Sequence, residues 1–148
     1  MVNYPEPGFR MKKEGDNTFI FDSIRKIWLL LTEEEWVRQN FIQYMTQVLK
    51  YPVAYIAVEK ELILNEMKKR FDILVYNKEY QPWMLVECKA RQIPLNENVL
   101  QQVLRYNMTI PVNYLVITNG ITTTGWKKEA TDLQLLHQMP EFSSIINY

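Results

Sequence analysis

Residues 70–90 read "RFDILVYNKEYQPWMLVECKA". Two runs rich in β-branched and aromatic residues, roughly 70–76 and 83–89, flank the polar segment "NKEYQP", the pattern of two strands and their connection. Each run carries charge where a buried strand should be apolar: Asp72 in the first, Glu87 and Lys89 in the second. Side chains alternate along a strand, so Leu85, Glu87 and Lys89 share one face while Val86, Cys88 and Ala90 share the other. An antiparallel hairpin closed by residues 77–82 sets position 76 opposite 83, 74 opposite 85 and 72 opposite 87. Directly opposed residues hold their Cβ atoms about 4.5–5.5 Å apart, which predicts Asp72 and Glu87 side by side.

Two adjacent carboxylates repel unless a shared proton or a cation compensates them. Hard oxygen donors around a small gap suit Mg²⁺, which keeps several waters and takes only one or two carboxylates from a protein. Lys89 lies close enough to hold an attacking water or an anionic phosphate. Metal, water and ammonium together form the apparatus for phosphodiester hydrolysis. A Glu-x-Lys triplet alone is cheap, and Glu66-Met67-Lys68 is another in this chain. A salt-bridged, solvated sheet face is therefore the competing explanation.

Upstream of these strands, "TEEEWVRQNFIQYMTQVLK" (32–50) reads as a helix. Thr32 followed by Glu35 is a capping-box signature. Val37, Phe41, Tyr44, Met45 and Val48 recur at helical spacing as a core-facing stripe. On the helical wheel Glu34 falls in the middle of that stripe, while Glu35 points away as the cap partner. Glu34 is thus either a group in need of a partner or an acid favoured by the helix dipole. "PVAYIAVEKEL" (52–62) reads as a strand, followed by the polar connection "NEMKK".

Downstream of residue 90, Asn96 caps a predicted helix over about 97–108. Gln102 and Tyr106 lie one turn apart on it and flank the Val99/Val103 stripe, with Gln101 pointing outward. "NYLVIT" (113–118) is a strand closed by the turn signal Asn119-Gly120. A short strand near 121–127 and a weak helix or strand near 132–138 are expected beyond it. At the other end, residues 1–17 read as a surface arm and 18–31 as a small β-hairpin around Asp22-Ser23. The core order is helix, three strands, helix, strand, which predicts an α/β or α+β domain with a mixed sheet.

With 148 residues the chain is read as one domain, 1–148, large enough for a sizeable core. Formal net charge is zero, so no global field points to nucleic acid or a membrane, and a nucleic-acid partner has to be met by local basic surface. Lys68, Lys69 and Arg70 form the one compact basic run beside the charged strands, as phosphate contacts or as a solvated turn. One Cys and one His exclude an internal disulfide and a Cys/His zinc site. Cys88 faces away from Glu87 with no His partner, which argues against a nucleophile. His137, Trp28, Trp36 and Trp83 read as structural, while Trp126, beside Lys127-Lys128, reads either as a packing residue or as a base-stacking platform. No signal-peptide pattern and no apolar run near the ~20 residues of a membrane span occur, so a cytoplasmic location without membrane association is expected.

In combination, "IFDSIRKIWLLLTEEEWVRQNF", "RFDILVY", "LVECKA", "QVLRYN" and "VITNG" resemble the PD-(D/E)xK nuclease superfamily with its restriction-endonuclease-like fold. More narrowly they resemble the N-terminal nuclease domain family of type I restriction enzyme R subunits. The resemblance covers about residues 19–120. It implies an α-β-β-β-α-β core and a Mg²⁺ (or Mn²⁺) site held by Asp72, Glu87, the Cys88 main-chain carbonyl and Glu34, with Lys89 completing it. It also maps the Gln-x-x-x-Tyr motif onto Gln102 and Tyr106. Nucleic acid, DNA foremost, is the implied partner, contacted by Lys69, Arg70 and Tyr106, and a homodimer is expected for cutting both strands. Phe71 stands where the superfamily motif has its Pro, and no Gly-x-x-x-x-Gly-Lys-Ser/Thr loop occurs. A non-catalytic module binding nucleic acid or a protein on the same fold is the second reading.

Overall fold

The structure, a computed structural model, describes residues 2–142; the final stretch, 143–148, of the weakly assigned C-terminal segment lies outside them. Three strands come first: β1 (Met11–Glu14), β2 (Asn17–Asp22) and β3 (Ile27–Leu30), an antiparallel sheet with Phe19 opposite Leu30. The hairpin expected over 18–31 is present. The surface arm expected over 1–17 needs correction, because residues 11–14 pair with β2. Gly15, at φ 62°, supplies the tight turn that lets a charged segment with little apolar content add on as an edge strand.

Asp22 ends β2 fully buried, accepting from the Ile24 and Arg25 N–H groups at 2.8 and 3.0 Å and from Arg25 Nε at 2.7 Å. Burial alone would raise its pKa, but these donors outweigh it and hold the carboxyl below its usual value. A depressed folded-state pKa contributes stability above the unfolded value, lost as pH falls through the folded one. Asp22→Asn should therefore cost about 1–3 kcal/mol near neutral pH, and the gap to wild type should close below about pH 4. Urea titration across that pH range measures it; a constant gap would mean that charge has no part.

Helix α1 spans Glu33–Gln47, with Thr32 Oγ1 accepting from the Glu35 N–H at 3.0 Å. Only half of the expected capping box forms. The Glu35 carboxylate does not turn back to Thr32 but runs inward, buried, to Arg38 Nη1 at 2.6 Å and Gln39 Nε2 at 3.1 Å. Glu34, expected in the core-facing stripe, has a half-exposed side chain instead (48%). The wheel misassigns the two because α1 has a second neighbour: Arg25 at the end of the N-terminal sheet lies 3.7 Å from Glu35 and supplies a cation to that side of the helix.

The main sheet has six strands in sequential order: β4 (Ile56–Leu64), β5 (Met67–Tyr76), β6 (Pro82–Cys88), β7 (Tyr114–Thr118), β8 (Thr123–Lys128) and β9 (Leu133–Leu135). All pairs are antiparallel except β6–β7, which helix α2 (Glu97–Asn107) links as a parallel crossover. The fold is a mixed α+β architecture of the expected class. Val37, Phe41 and Met45 of α1 pack on Ile73, Val75, Val86 and Val116. Leu104 of α2 covers Leu74, Leu85 and Leu115 on the opposite face.

Three boundaries differ from expectation. The connection "NEMKK" shrinks to Asn65-Glu66, both at positive φ (49° and 67°), the backbone of a two-residue hairpin turn, so Lys68 and Lys69 join Arg70 on β5. An irregularity between Val75 and Tyr76 sets Tyr76 opposite Pro82, not Trp83, because Pro82 has no N–H for the ladder. The ambiguous segments become β8, two residues later than expected, and β9. After β7, Asn119 Oδ1 accepts from the Ile121 and Thr122 N–H groups at 3.0 and 2.8 Å. Gly120 takes φ 84° beside Val37, where an added Cβ would meet Cγ2 at 3.2 Å. Among the described residues no helix is long and apolar enough to cross a membrane.

Candidate active site

The register Leu74 opposite Leu85 and Ile73 opposite Val86 is the one read from the sequence, and one step on it carries Asp72 to Glu87. There the strands part. Below Ile73, β5 pairs only with β4, while Glu87 and Cys88 of β6 pair with Ile117 and Thr118 of β7. The Asp72 side chain enters the gap, its Oδ2 accepting from the Cys88 N–H at 2.8 Å. This bond fixes the carboxylate against the strand that carries Glu87 and Lys89.

On the other side of Asp72, β4 presents Glu59. The β4–β5 register runs Val58 opposite Ile73 and Lys60 opposite Phe71, so Glu59 falls opposite Asp72, with φ 52°. At this point side-chain alternation reverses in both strands: Ala57 and Leu62 lie on the α2 face of the sheet, as do Leu74 and Phe71. Glu59, Asp72 and Glu87 thus form a row of carboxylates across three neighbouring strands.

Arg38 of α1 is the counter-charge. Its Nη2 lies 2.9 Å from Asp72 Oδ1, 2.7 Å from Glu59 Oε1 and 3.3 Å from Glu34 Oε1. Burial works against the guanidinium's charge, but Glu35, Asp72 and Glu59 outweigh it and raise its pKa further. Glu34, exposed as it is, reaches the same cluster. Its carboxyl is raised by burial first and by the Asp72 charge second, with Arg38 and Lys89 opposing.

Glu87 opens onto a cavity of about 290 Å³ lined also by Lys89, Gln102, Val103, Tyr106 and Asn107. Burial, then the charge of Asp72, pushes its carboxyl up to about 7, against the pull of Lys89. Lys89 follows directly on β6, its N–H fixed to the Thr118 carbonyl at 2.8 Å. Asn96 Oδ1 caps α2 through the Val99 N–H at 3.0 Å, and the helix brings Gln102 and Tyr106 to the cavity rim. A larger cleft, about 570 Å³, lies between the end of α1 and residues 138–142, where Lys50, Lys78 and Glu141 are the charged lining groups. Its lining sets no two carboxylates together, whereas the smaller cavity holds Glu87 beside Lys89.

The structure therefore brings Asp72, Glu87, Lys89, Gln102 and Tyr106 together, with Glu34 at the edge. Of the basic run, Lys69 Nζ donates to the Tyr106 carbonyl at 3.2 Å and sits 4.8 Å from the Tyr106 ring centroid. Arg70 Nε pairs with Glu59 at 2.6 Å and Lys68 lies 3.9 Å from Glu61. The Cys88 thiol is buried, its pKa driven up first by that burial, in keeping with an inert side chain. Trp126 packs beside the Leu74/Leu85 core. Sequence reasoning missed Glu59 and the part played by Arg38. The signals were there: Glu59 interrupts the apolar alternation of β4, and an Arg four residues after Glu34 shares its side of the helix.

Among the described residues no three of His, Cys, Asp and Glu form a ready-made metal site. The donors on offer are the Asp72 and Glu87 carboxylates and the Cys88 carbonyl. This hard-oxygen set fits Mg²⁺, which needs only one or two protein carboxylates. The Glu87 carboxylate makes no hydrogen bond or ion pair with any of the described residues, so an acceptor remains open toward the cavity. A comparison with curated proteins finds no match. Residues 33–141 match the family described as type I restriction enzyme R protein N terminus. That span takes in both helices, the split between β5 and β6 and every residue of the cavity, and the chain belongs to this family.

Proposed function

We propose that the chain is a metal-dependent nuclease of the PD-(D/E)xK type, acting on nucleic acid, DNA foremost, in a restriction-related role. The observation carrying this reading is the arrest of Asp72 beside Glu87 where β5 and β6 part, with Lys89 lining the same cavity. Asp72, Glu87 and the Cys88 carbonyl would hold Mg²⁺ or Mn²⁺, with Glu34 reaching it through water. The ion's contribution is charge stabilisation at the phosphate and a more acidic water.

The chain's own residues have separate tasks. Lys89 orients the attacking water and offers positive charge to the phosphate; Gln102 donates its amide N–H to the same group. Arg38 holds the Asp72 carboxylate in place. Lys69 and Tyr106 lie along the far wall, where an ammonium and an exposed ring suit a phosphate and a base face. Arg70 has its charge engaged by Glu59 and contributes less.

The test is calorimetry with Mg²⁺ and Mn²⁺ on wild type and on Asp72→Asn/Glu87→Gln, alongside cleavage assays on single- and double-stranded DNA and RNA. Binding and cleavage in wild type, both absent in the double variant, are expected. Metal and duplex binding without any cleavage would make the chain a binding module on this fold instead. For the wall residues, Lys69→Ala should weaken duplex binding and reduce the slope of log K against log salt by about 1, measured by fluorescence anisotropy at several salt concentrations. An unchanged slope would remove Lys69 from the contact surface.

A further inference from the structure

The Arg38 side chain is placed as a metal ion would be rather than as an ordinary salt-bridge partner. Its Nη2 has two hydrogens but three carboxylates around it, brought from α1, β4 and β5. The hydrogens serve Glu34 and Asp72, at 3.3 and 2.9 Å. Glu59 Oε1, at 2.7 Å, is within ion-pair distance of Nη2 without hydrogen-bond geometry, while its Oε2 pairs with Arg70 Nε at 2.6 Å. The same guanidinium leaves its Nε buried with no partner, a cost that a side chain placed for its own hydrogen bonding would avoid.

The placement is also firm. Arg38 is 5% exposed, and Nη1 is tied to Glu35 at 2.6 Å, itself held by Gln39 and Arg25. Asp72 is divided between two directions, Oδ1 to Arg38 and Oδ2 to the Cys88 N–H on the strand of Glu87. Two-metal phosphodiesterases set their ions about 3.5–4 Å apart as paired clamps. Here the side of Asp72 away from Glu87 already holds a fixed positive charge. Its contacts of 2.7–3.3 Å are wider than the ~2.0–2.1 Å of Mg²⁺–oxygen bonds.

We propose that Arg38 supplies the second cation of this site, so that each chain takes up one divalent ion and not two. The inference rests on the reading that Asp72 and Glu87 hold a metal, and the count of bound ions separates the two. Mn²⁺ titration of the full chain, followed by the electron paramagnetic resonance signal of free Mn²⁺, should give one ion per chain in wild type. Arg38→Gln, its folding checked by circular dichroism, should take up a second ion among Glu34, Glu59 and Asp72. Adding Glu59→Gln to that variant should return the count to one.

Two ions in wild type would overturn the inference and leave the nuclease reading standing. So would a folded Arg38→Gln protein that still binds only one. No ion in wild type would remove the metal-site reading and this inference with it. Where Arg38→Gln does not fold, the wild-type count decides alone.

Discussion

Glu87→Gln should sharply reduce cleavage and yet leave a more stable protein at pH 8. The substitution keeps the shape of the side chain and removes its charge. Burial, then the charge of Asp72, pushes the Glu87 carboxyl from an ordinary 4.5 up to about 7, so the folded state resists its ionisation. A carboxyl with a raised folded-state pKa contributes stability that is complete below the unfolded value and lost as pH rises through the folded one. At pH 8 that contribution is gone. Each unit of pKa difference is worth about 1.4 kcal/mol, and screening through the open cavity reduces the sum. Glu87→Gln should therefore stabilise by about 2 kcal/mol at pH 8, a Tm gain of about 4–8 °C. The gain should shrink toward zero as pH is lowered to about 4.5. On the proposed nuclease reading, in which Glu87 would be a metal ligand, losing it should cost at least about 10²-fold in cleavage. Opposite signs for stability and activity mark a group placed for chemistry at the expense of the fold. A variant less stable than wild type at pH 8 would count against the burial argument, and one that still cuts at the wild-type rate would falsify the role of Glu87.

Much of this site was legible because it depends on strand periodicity. The spacing of Asp72, Glu87 and Lys89 about a short connection predicts which side chains meet, and the observed Leu74–Leu85 pairing agrees. Thr32 and Asn96 mark the two helix starts because a cap is a local interaction. What escaped depends on neighbours distant in sequence. Glu59 points at Arg38 through a positive φ that nothing in "VEKEL" announces. A helical wheel assigns Glu34 to the interior because it assumes a single packed face, whereas the N-terminal sheet adds Arg25 as a partner for Glu35. The Asn65-Glu66 turn is likewise set by backbone geometry without the usual Gly signature.

Arg38→Ala should destabilise the protein by about 3–5 kcal/mol, the range for breaking a buried ion pair and leaving its partner uncompensated. In a chain of 148 residues that corresponds to a Tm fall of roughly 10–15 °C. The size follows from what Arg38 leaves behind. Glu35 is 7% exposed, with Gln39 and a distant Arg25 as its remaining donors and cation. Among the described residues Asp72 keeps the Cys88 N–H, while Glu34 and Glu59 still crowd it. Removing both members of the buried pair tests this account. Glu35→Gln/Arg38→Met replaces them by groups of similar volume and should recover most of the loss, since the cost lies in the orphaned charge and not in the missing bond. Urea unfolding of wild type, both single variants and the double variant gives the coupling energy directly. A single-variant loss below about 1 kcal/mol would place Arg38 with ordinary surface pairs. Arg38 would then be no fixed part of the site, and Asp72 would have to be held in place by the Cys88 N–H alone. The predicted loss, largely recovered in the double variant, would instead place the cost in the orphaned Glu35 carboxylate, whereas a loss that persisted there would assign it to Glu34, Glu59 and Asp72, left without their shared cation.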